Sequence, residues 1–307
     1  MSTDPTTSCM TVAPIEHGGL LRRAETPIVF DNDVTIAHIP AWYRDIKMPE
    51  FFPEALRRLQ QEVEFAVLVQ YSSPALTTKT TATEVIKVRH RAYENVMLVQ
   101  MAFWLAGMPL DIRHVTDCGS DSRGGWEMPS VTSADHMLYS PDAPSPEQFP
   151  SAALLSATYK TLRCLEGEST LRVAVNMVLK AITEPDWILR YLCHWLALEA
   201  LFGAADGREI SFRLSQRIAF HLRPTGRPAK DTFDKVKEGY TWRSKVVHGL
   251  RLKSLTEEHS RKLMNELESI VRDCVNLIAR NQNYVAVFNG REERERHLDA
   301  LPFESVS

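Results

Sequence analysis

The sequence lacks the short motifs that mark the commonest nucleotide-dependent and hydrolytic enzymes. It contains no Gly-x4-Gly-Lys-Ser/Thr or Gly-x-Gly-x-x-Gly loop, so the usual phosphate cradles of ATP and dinucleotide enzymes are missing. The Gly-x-Ser-x-Gly turn that exposes a hydrolase serine is missing as well. We therefore expect no cofactor, and any catalysis must come from another arrangement of side chains.

Cysteines and long apolar runs are also scarce. The 307 residues include five cysteines, an odd number without paired spacing, which argues against a disulfide framework and favours a reducing compartment. The most apolar run, 96–106, is interrupted by Gln100 and falls short of the roughly 20 residues of a membrane helix. The N-terminus lacks the basic-then-apolar order of a secretory signal. These features predict a cytoplasmic protein without a membrane span.

Metal-ligand side chains are present, but their arrangement does not indicate a site. His114 and Cys118, with His136 further along the chain, have suitable chemistry. They fall in a predicted strand and loop without a fourth close ligand, which a structural zinc site requires. We therefore expect no bound metal.

Charge is small overall and unevenly distributed. The net charge of −3 does not predict a polyanion-binding protein. Residues 208–253, however, contain twelve Lys and Arg against four acids, a local charge of +8 that leaves −11 for the remainder. Such segregation favours one phosphate-binding face. Solvated basic helices opposite an acidic surface would give the same pattern.

The first half of the chain predicts a small α+β module. Residues 1–27 are rich in Thr, Pro and Ser, which predicts a disordered N-terminal tail. Residues 28–145 form the module, whose role the sequence does not indicate. Its β-branched runs predict strands at 34–39 and 63–71, although the second also suits a helix, and a short strand at 110–115. A capping box at Thr81 starts a helix that ends at Gly107, and residues 117–150 are predicted to form a loop.

Beyond Pro150 the pattern becomes almost continuously helical, with a helix breaker after each segment. The predicted fold is mainly α: a C-terminal helical bundle over residues 150–281, preceded by the smaller α+β module. Residues 282–307, with a mixed charge run, are predicted to be a C-terminal tail. The predicted helices cover 152–166, 169–182, 187–202, 210–222, 230–248 and 254–281.

The most informative segment is Tyr-Thr-Trp-Arg-Ser-Lys-Val-Val-His-Gly, which begins at Tyr240 and places Arg243 five positions before His248. A guanidinium can neutralise a phosphate, and an imidazole can transfer protons near neutral pH. Five positions correspond to about 140° of rotation on an ideal helix, so the two side chains flank a groove unless the chain turns at Gly249 or a second copy lies opposite. The alternative is a helix-capping histidine and a salt-bridged arginine.

Three blocks in this order resemble the HEPN superfamily, and more narrowly its Apea-like branch. They are Trp-Leu-Ala-Leu-Glu-Ala-Leu-Phe from Trp195, Leu-Ser-Gln-Arg-Ile-Ala-Phe-His-Leu from Leu214, and the segment from Tyr240. The last block carries the family's Arg-x(4 to 6)-His signature as Arg243-x4-His248. The resemblance covers roughly residues 150–281.

The resemblance implies a metal-independent endoribonuclease of prokaryotic antiviral defence, abortive infection or a toxin-like stress response. Its substrate would be RNA rather than DNA. The bundle would form a homodimer in which two Arg-His pairs share a cleft. Carried onto this chain, His248 would be the general acid or base and Arg243 would hold the scissile phosphate. A non-catalytic HEPN module that binds RNA, a nucleotide or a protein is the alternative.

Several neighbouring residues are expected to support this site. Ser244 can make one hydrogen bond beside the arginine, and Glu199 is expected to be partly buried and paired with Arg243 or Arg217. Trp242 is expected in the core, although an aromatic ring here can also stack on a base. The residues expected to contact RNA are Arg217, Lys245, Tyr240 and Arg251.

Overall fold

The computed structural model describes most of the chain, which divides into two compact units, Met1–Arg163 and Cys164–Ser307. The chain is mainly helical, with an antiparallel sheet in the first unit, and this much of the predicted fold class is confirmed. The described residues are 6–16, 21–22, 24, 26–48, 54–74, 82–120, 126–133, 149–165, 167, 169–204, 209–248 and 256–303.

The first unit contains a six-stranded antiparallel sheet in the order β2-β3-β4-β1-β5-β6. Helix α3 packs on β4 and β1, and α4 packs on α3 and β2. The elements are β1 (Thr6–Pro14), β2 (Ile28–Asp31), β3 (Val34–His38), α1 (Ala41–Asp45), α2 (Glu54–Glu62), β4 (Phe65–Pro74), α3 (Ala82–Leu105), β5 (His114–Ser120), β6 (Trp126–Ser133) and α4 (Ala152–Arg163).

Strand β1 shows that the prediction of disorder for residues 1–27 was wrong over Thr6–Pro14. It pairs with β4 along its whole length and with β5 over Cys9–Val12, so it lies inside the sheet. Val12 and Ala13 are fully buried, and the Thr11 hydroxyl donates a hydrogen bond to Asp117 at 2.5 Å. Thr and Ser, which gave the segment its polar composition, are tolerated in a strand whose neighbours supply the pairing.

Some of the other predictions for this unit are confirmed and others are wrong. The strands near 34–39 and 63–71 and the helix up to Gly107 are confirmed as β3, β4 and α3. The predicted loop at 117–150 was wrong where β5 ends and β6 runs, because cross-strand pairing forms these strands. The boundary between the two units lies after α4, whereas the predicted helical domain begins at residue 150. Tyr159 of α4 hydrogen bonds Asn95 of α3 at 3.0 Å.

The second unit is a helical bundle, and its predicted helices are confirmed within a few residues. Helix α9 begins after Thr256, whose side chain accepts a hydrogen bond from the His259 backbone N–H. Ser254, the first residue of the helix predicted at 254–281, lies outside the described residues. The elements are α5 (Thr170–Ile182), α6 (Trp187–Phe202), α7 (Ile210–His221), α8 (Ala229–Val247), α9 (Glu257–Ala279), α10 (Gln282–Asn289) and α11 (Arg291–Ala300).

Helix α6 is central to the second unit, because it contacts α5, α7, α8 and α9. Its apolar side chains fill the core, and it also carries a buried polar group. The Arg190 guanidinium pairs with the Glu268 carboxylate of α9, and His194 Nε2 lies 3.4 Å from the same carboxylate. Removing one member of such a group would leave a buried charge uncompensated.

The prediction of a C-terminal tail after residue 281 was also wrong, since α10 and α11 belong to the bundle. Phe288 and Leu298 are buried, and Phe288 packs against Phe202 with ring centroids 5.7 Å apart. Arg294 of α11 is buried too, and its guanidinium donates to the Ala200 carbonyl at the end of α6. The buried side chains of Phe288, Arg294 and Leu298 therefore hold α10 and α11 in the bundle, although most exposed positions of α11 are charged.

Candidate functional site

Arg243 is positioned where α8 crosses α6. The Tyr191 hydroxyl donates to the Gly239 carbonyl at 2.8 Å, and Arg243 Nη2 donates to Glu199 Oε2 at 3.1 Å. Residue numbers increase in the same direction along both helices at this contact, so α6 and α8 run parallel here. The crossing therefore brings the end of α6 beside the last turns of α8.

Gly239 allows this close crossing. A Cβ atom at this position would lie 2.9 Å from Trp195 Cζ2 and 3.4 Å from the Tyr191 hydroxyl. Real Cβ contacts of 2.9 Å do not occur without movement, and both neighbouring side chains are buried. The glycine therefore sets the separation of the two helices that hold Arg243 and Glu199.

We expect Gly239→Ala to lower the free energy of unfolding by about 1–3 kcal/mol, the usual cost of overpacking a filled core. The overlap outweighs the roughly 1 kcal/mol that alanine gains over glycine in a helix. Urea denaturation would measure the change. Glu238→Ala, at the adjacent exposed position, is the control and should be nearly neutral. Equal stability of the two variants would contradict the proposed role of Gly239.

The Glu199–Arg243 ion pair confirms one of the two predicted partners of Glu199. The two side chains are 24% and 23% exposed, so the pair is half-buried and reachable from solvent. Arg243 Nε is buried and meets no hydrogen-bond partner among the described residues. One carboxylate thus holds the guanidinium and leaves part of its hydrogen-bonding capacity unused.

Tyr240 supports Arg243 from within the bundle. Its ring centroid lies 5.5 Å from the Arg243 guanidinium carbon and 5.5 Å from the Trp195 ring. Burial, followed by the charge of Glu199, raises the pKa of the Tyr240 hydroxyl. The ring is therefore engaged by Arg243 and Trp195, whereas the sequence predicts a contact between this ring and RNA.

His248 ends α8 as its C-cap residue, with φ −84° and ψ 8°. Its backbone N–H donates to the Ser244 carbonyl at 3.1 Å, and its side chain is exposed. Within the described residues the imidazole has no hydrogen-bond or ion-pair partner. Exposure at the end of α8 leaves the imidazole accessible to a ligand.

The two signature residues diverge within one copy of the chain. Arg243 points at α6, where Glu199 holds it. Helical geometry directs His248 about 140° away, toward the side of α8 that carries Lys245. The Ser244 backbone carbonyl accepts the hydrogen bond from the His248 backbone N–H. Among the described residues, the Ser244 side chain makes no hydrogen bond. Gly249 and Arg251 lie outside those residues.

On the side of α8 that carries Lys245, Trp242 is half-buried. Lys245 Nζ lies 4.0 Å from the Trp242 ring centroid, and the His259 ring lies 5.4 Å from it. The expectation that Trp242 belongs to the core is therefore only partly met, because the ring lies at the surface. His259, at the start of α9, is a neighbour that the sequence pattern does not indicate.

Arg217 does not lie on an exposed basic face. Its side chain is 3% exposed and its guanidinium pairs with Glu295 and Asp299 of α11, each at 2.7 Å. It also donates to the Phe202 carbonyl at 3.1 Å. The expectation that Arg217 contacts RNA was therefore wrong, because these partners occupy the guanidinium inside the bundle.

Neither a metal centre nor a membrane helix is seen in the described part of the chain. No three His, Cys, Asp or Glu side chains there are grouped to hold a metal, and His136 lies outside it. No described helix combines the length and apolar character needed to cross a membrane.

The chain matches no family model, and neither the curated proteins nor the solved structures give a match to it.

Proposed function

We propose that the protein is a metal-independent endoribonuclease of the HEPN type, acting in prokaryotic defence or a toxin-like stress response. One observation carries the proposal: His248 is exposed at the end of α8, and Arg243 on the same helix is held accessibly by a single carboxylate. Proton transfer and phosphate neutralisation are the two functions that RNA cleavage without a metal requires.

The proposed reaction is an internal displacement at phosphorus. The ribose 2'-oxygen attacks the adjacent phosphorus and loses its proton to a general base, while the bond from phosphorus to the 5'-oxygen breaks. A general acid protonates the departing 5'-oxygen. The products are a 2',3'-cyclic phosphate and a 5'-hydroxyl. His248 supplies one proton transfer, and Arg243 stabilises charge on the phosphate oxygens.

Glu199 serves to hold Arg243 until RNA arrives. The Arg243 and Glu199 side chains are each about a quarter exposed, so the ion pair can be reached from solvent. A phosphate carries the same kind of charged acceptor oxygens as the carboxylate and can compete with it for the guanidinium. Arg243 can then bind phosphate without a rearrangement of the bundle.

A second copy of the chain is needed because Arg243 and His248 diverge. The exposed side of α6 carries Leu189 and Leu196, which are 51% and 45% exposed and lie two helical turns apart. Glu199 follows Leu196 by three positions, so this apolar stripe leads to the Arg243 ion pair. We propose that two copies pack through this stripe and that His248 of one copy then lies near Arg243 of the other.

Leu196→Glu is therefore expected to weaken self-association at least about 100-fold, because an unpaired carboxylate in an apolar interface costs several kcal/mol. Sedimentation velocity over a range of concentrations would measure the effect. Ile86→Glu changes a residue of the first unit that is 63% exposed and is the matched control. A wild-type protein that stays monomeric, or equal effects of the two variants, would contradict this interface.

The proposed activity is tested by incubating the purified full chain with single-stranded RNA, with and without a chelator. We expect cleavage that resists the chelator and leaves cyclic phosphate ends, since no step needs a metal. Loss of cleavage with the chelator would assign the chemistry to a metal nuclease. No cleavage in either condition would remove the proposed activity.

A non-catalytic binding module is the second candidate, and the Glu199–Arg243 ion pair favours it. The carboxylate neutralises Arg243, and helical geometry aims His248 elsewhere, so one copy alone presents no assembled acid, base and phosphate clamp. On this alternative, Arg243→Ala and His248→Ala would both retain RNA or partner binding, and neither the variants nor the wild type would cleave RNA.

A further inference from the structure

On the same side of α8 as His248, the helix surface carries an aromatic ring with a lysine ammonium on it. Trp242, Lys245 and His248 are spaced at three-residue intervals, so they wind slowly along one side of the helix, opposite the direction of Arg243. The axial rise from Trp242 to His248 is about 9 Å. A group bound on the Trp242 ring would therefore lie roughly two turns from the imidazole.

The contacts of these side chains leave binding capacity unused. Lys245 contacts Trp242 through its ammonium at 4.0 Å, and no carboxylate pairs with it among the described residues. The His259 ring flanks Trp242 at 5.4 Å with an interplanar angle of 59°. Its Nε2 atom is covered and meets no hydrogen-bond partner in the described part of the chain. The face of the Trp242 ring that Lys245 covers is therefore available to a planar ligand once the ammonium moves.

We propose that Trp242, Lys245 and His259 form a nucleobase subsite for single-stranded RNA, next to the phosphate at which His248 acts. The base stacks on the Trp242 ring in place of the Lys245 ammonium. Lys245 then turns to a neighbouring phosphate, and the His259 ring flanks the stacked base. This subsite rests on the proposed function, because it names where the RNA substrate of that site is held.

The exchange of Lys245 for a base is favourable on ordinary magnitudes. A cation over an exposed aromatic ring contributes roughly two- to fivefold in an equilibrium constant. Stacking of a base on an aromatic side chain contributes about 5- to 150-fold in affinity and accepts every base, because each has a π-face. The displaced ammonium gains a phosphate, so the subsite would bind any base and would not select a sequence.

The test uses the full chain carrying His248→Ala, which keeps RNA intact, and measures binding of a short single-stranded RNA by fluorescence anisotropy. One base at a time is replaced by an abasic ribose. We expect one position to weaken binding about 5- to 150-fold. Adding Trp242→Leu should abolish that difference, whereas Trp242→Phe should keep part of it, which separates stacking from misfolding. Adding Lys245→Met should weaken intact RNA and lower the salt dependence by about one ion.

Three outcomes would overturn the subsite. These are a flat abasic scan, an equal loss on intact and abasic RNA with Trp242→Leu, and no RNA binding at all. The fate of the proposed activity is decided separately by wild-type cleavage. Cleavage with a flat abasic scan leaves the ribonuclease and removes the subsite, whereas an abasic-sensitive position without cleavage leaves the subsite and removes the ribonuclease.

Discussion

His248→Ala is expected to lower the rate of RNA cleavage about 10²- to 10⁴-fold, the usual contribution of a positioned general acid or base. Stability should change little, because the side chain is exposed and only its backbone N–H is bonded within α8. Single-turnover cleavage of a defined RNA, with thermal unfolding of the same samples, would measure both quantities. The prediction requires a loss of rate without a loss of fold.

The control for His248→Ala is His90→Ala, which removes an imidazole that is 68% exposed in the first unit. Arg243→Ala should lower cleavage as strongly, and Arg280→Ala, at an exposed position ending α9, is its control. Wild-type rates in the His248→Ala and Arg243→Ala proteins would remove both residues from the proposed chemistry. Equal losses in all four variants would point to contamination or to a general effect of charge.

The second large effect expected is acid destabilisation of the second unit through His221. This imidazole is buried among the rings of Phe202, Tyr284 and Phe288, with centroids 5.0–5.5 Å away. Burial, then the charge of His297, lowers the pKa of His221 to about 3, while a hydrogen bond to the Cys274 backbone acts in the opposite direction. The folded protein therefore keeps His221 neutral.

The sign of the effect follows from proton binding. Between pH 6.5, the ordinary pKa, and about pH 3 the unfolded chain binds a proton at His221 that the folded chain does not, so stability falls as pH decreases. At about 1.4 kcal/mol per pKa unit, the loss is about 3 kcal/mol at pH 4 and approaches about 5 kcal/mol below pH 3. His221→Phe fits the aromatic surroundings and should flatten this part of the profile.

Urea denaturation at several pH values between 7 and 4 would measure the slope for the wild type and for His221→Phe. His194, whose pKa is also lowered by burial, contributes in the same window and remains in both proteins, so the difference reports His221. His90→Phe, at an exposed position, should leave the slope unchanged. An identical slope in the His221→Phe variant would show that His221 is not kept neutral by the fold.

The helices of the bundle could be predicted because their signals are local. Helix α6 was predicted at its observed bounds, and α8 within one residue at each end, since apolar periodicity and a nearby breaker define each end. Strand β1 had no such signal. Its place in the sheet depends on pairing with residues more than fifty positions away. The polar composition of β1 does not indicate which strands it pairs with.

The contrast between local and long-range signals also explains which residues of the site could be predicted. Glu199 was predicted to need a cation because it shares the apolar stripe of α6, and the structure identifies Arg243 as the partner. The burial of Arg217 was missed, because its carboxylate partners lie 78 and 82 residues further along the chain. Charge counting treats every arginine of a basic segment alike, whereas burial decides which of them face solvent.

The arginine contacts between α11 and the end of α6 also set an order of events during synthesis. Arg294, which donates to the Ala200 carbonyl, follows it by 94 residues. At about 5–20 residues per second, a ribosome adds that stretch in roughly 5–20 seconds. During that time the Ala200 carbonyl lacks this donor, whereas the Phe202 carbonyl already has Arg217 of α7. The end of α6 therefore receives its last hydrogen-bond donor only after α11 has been made.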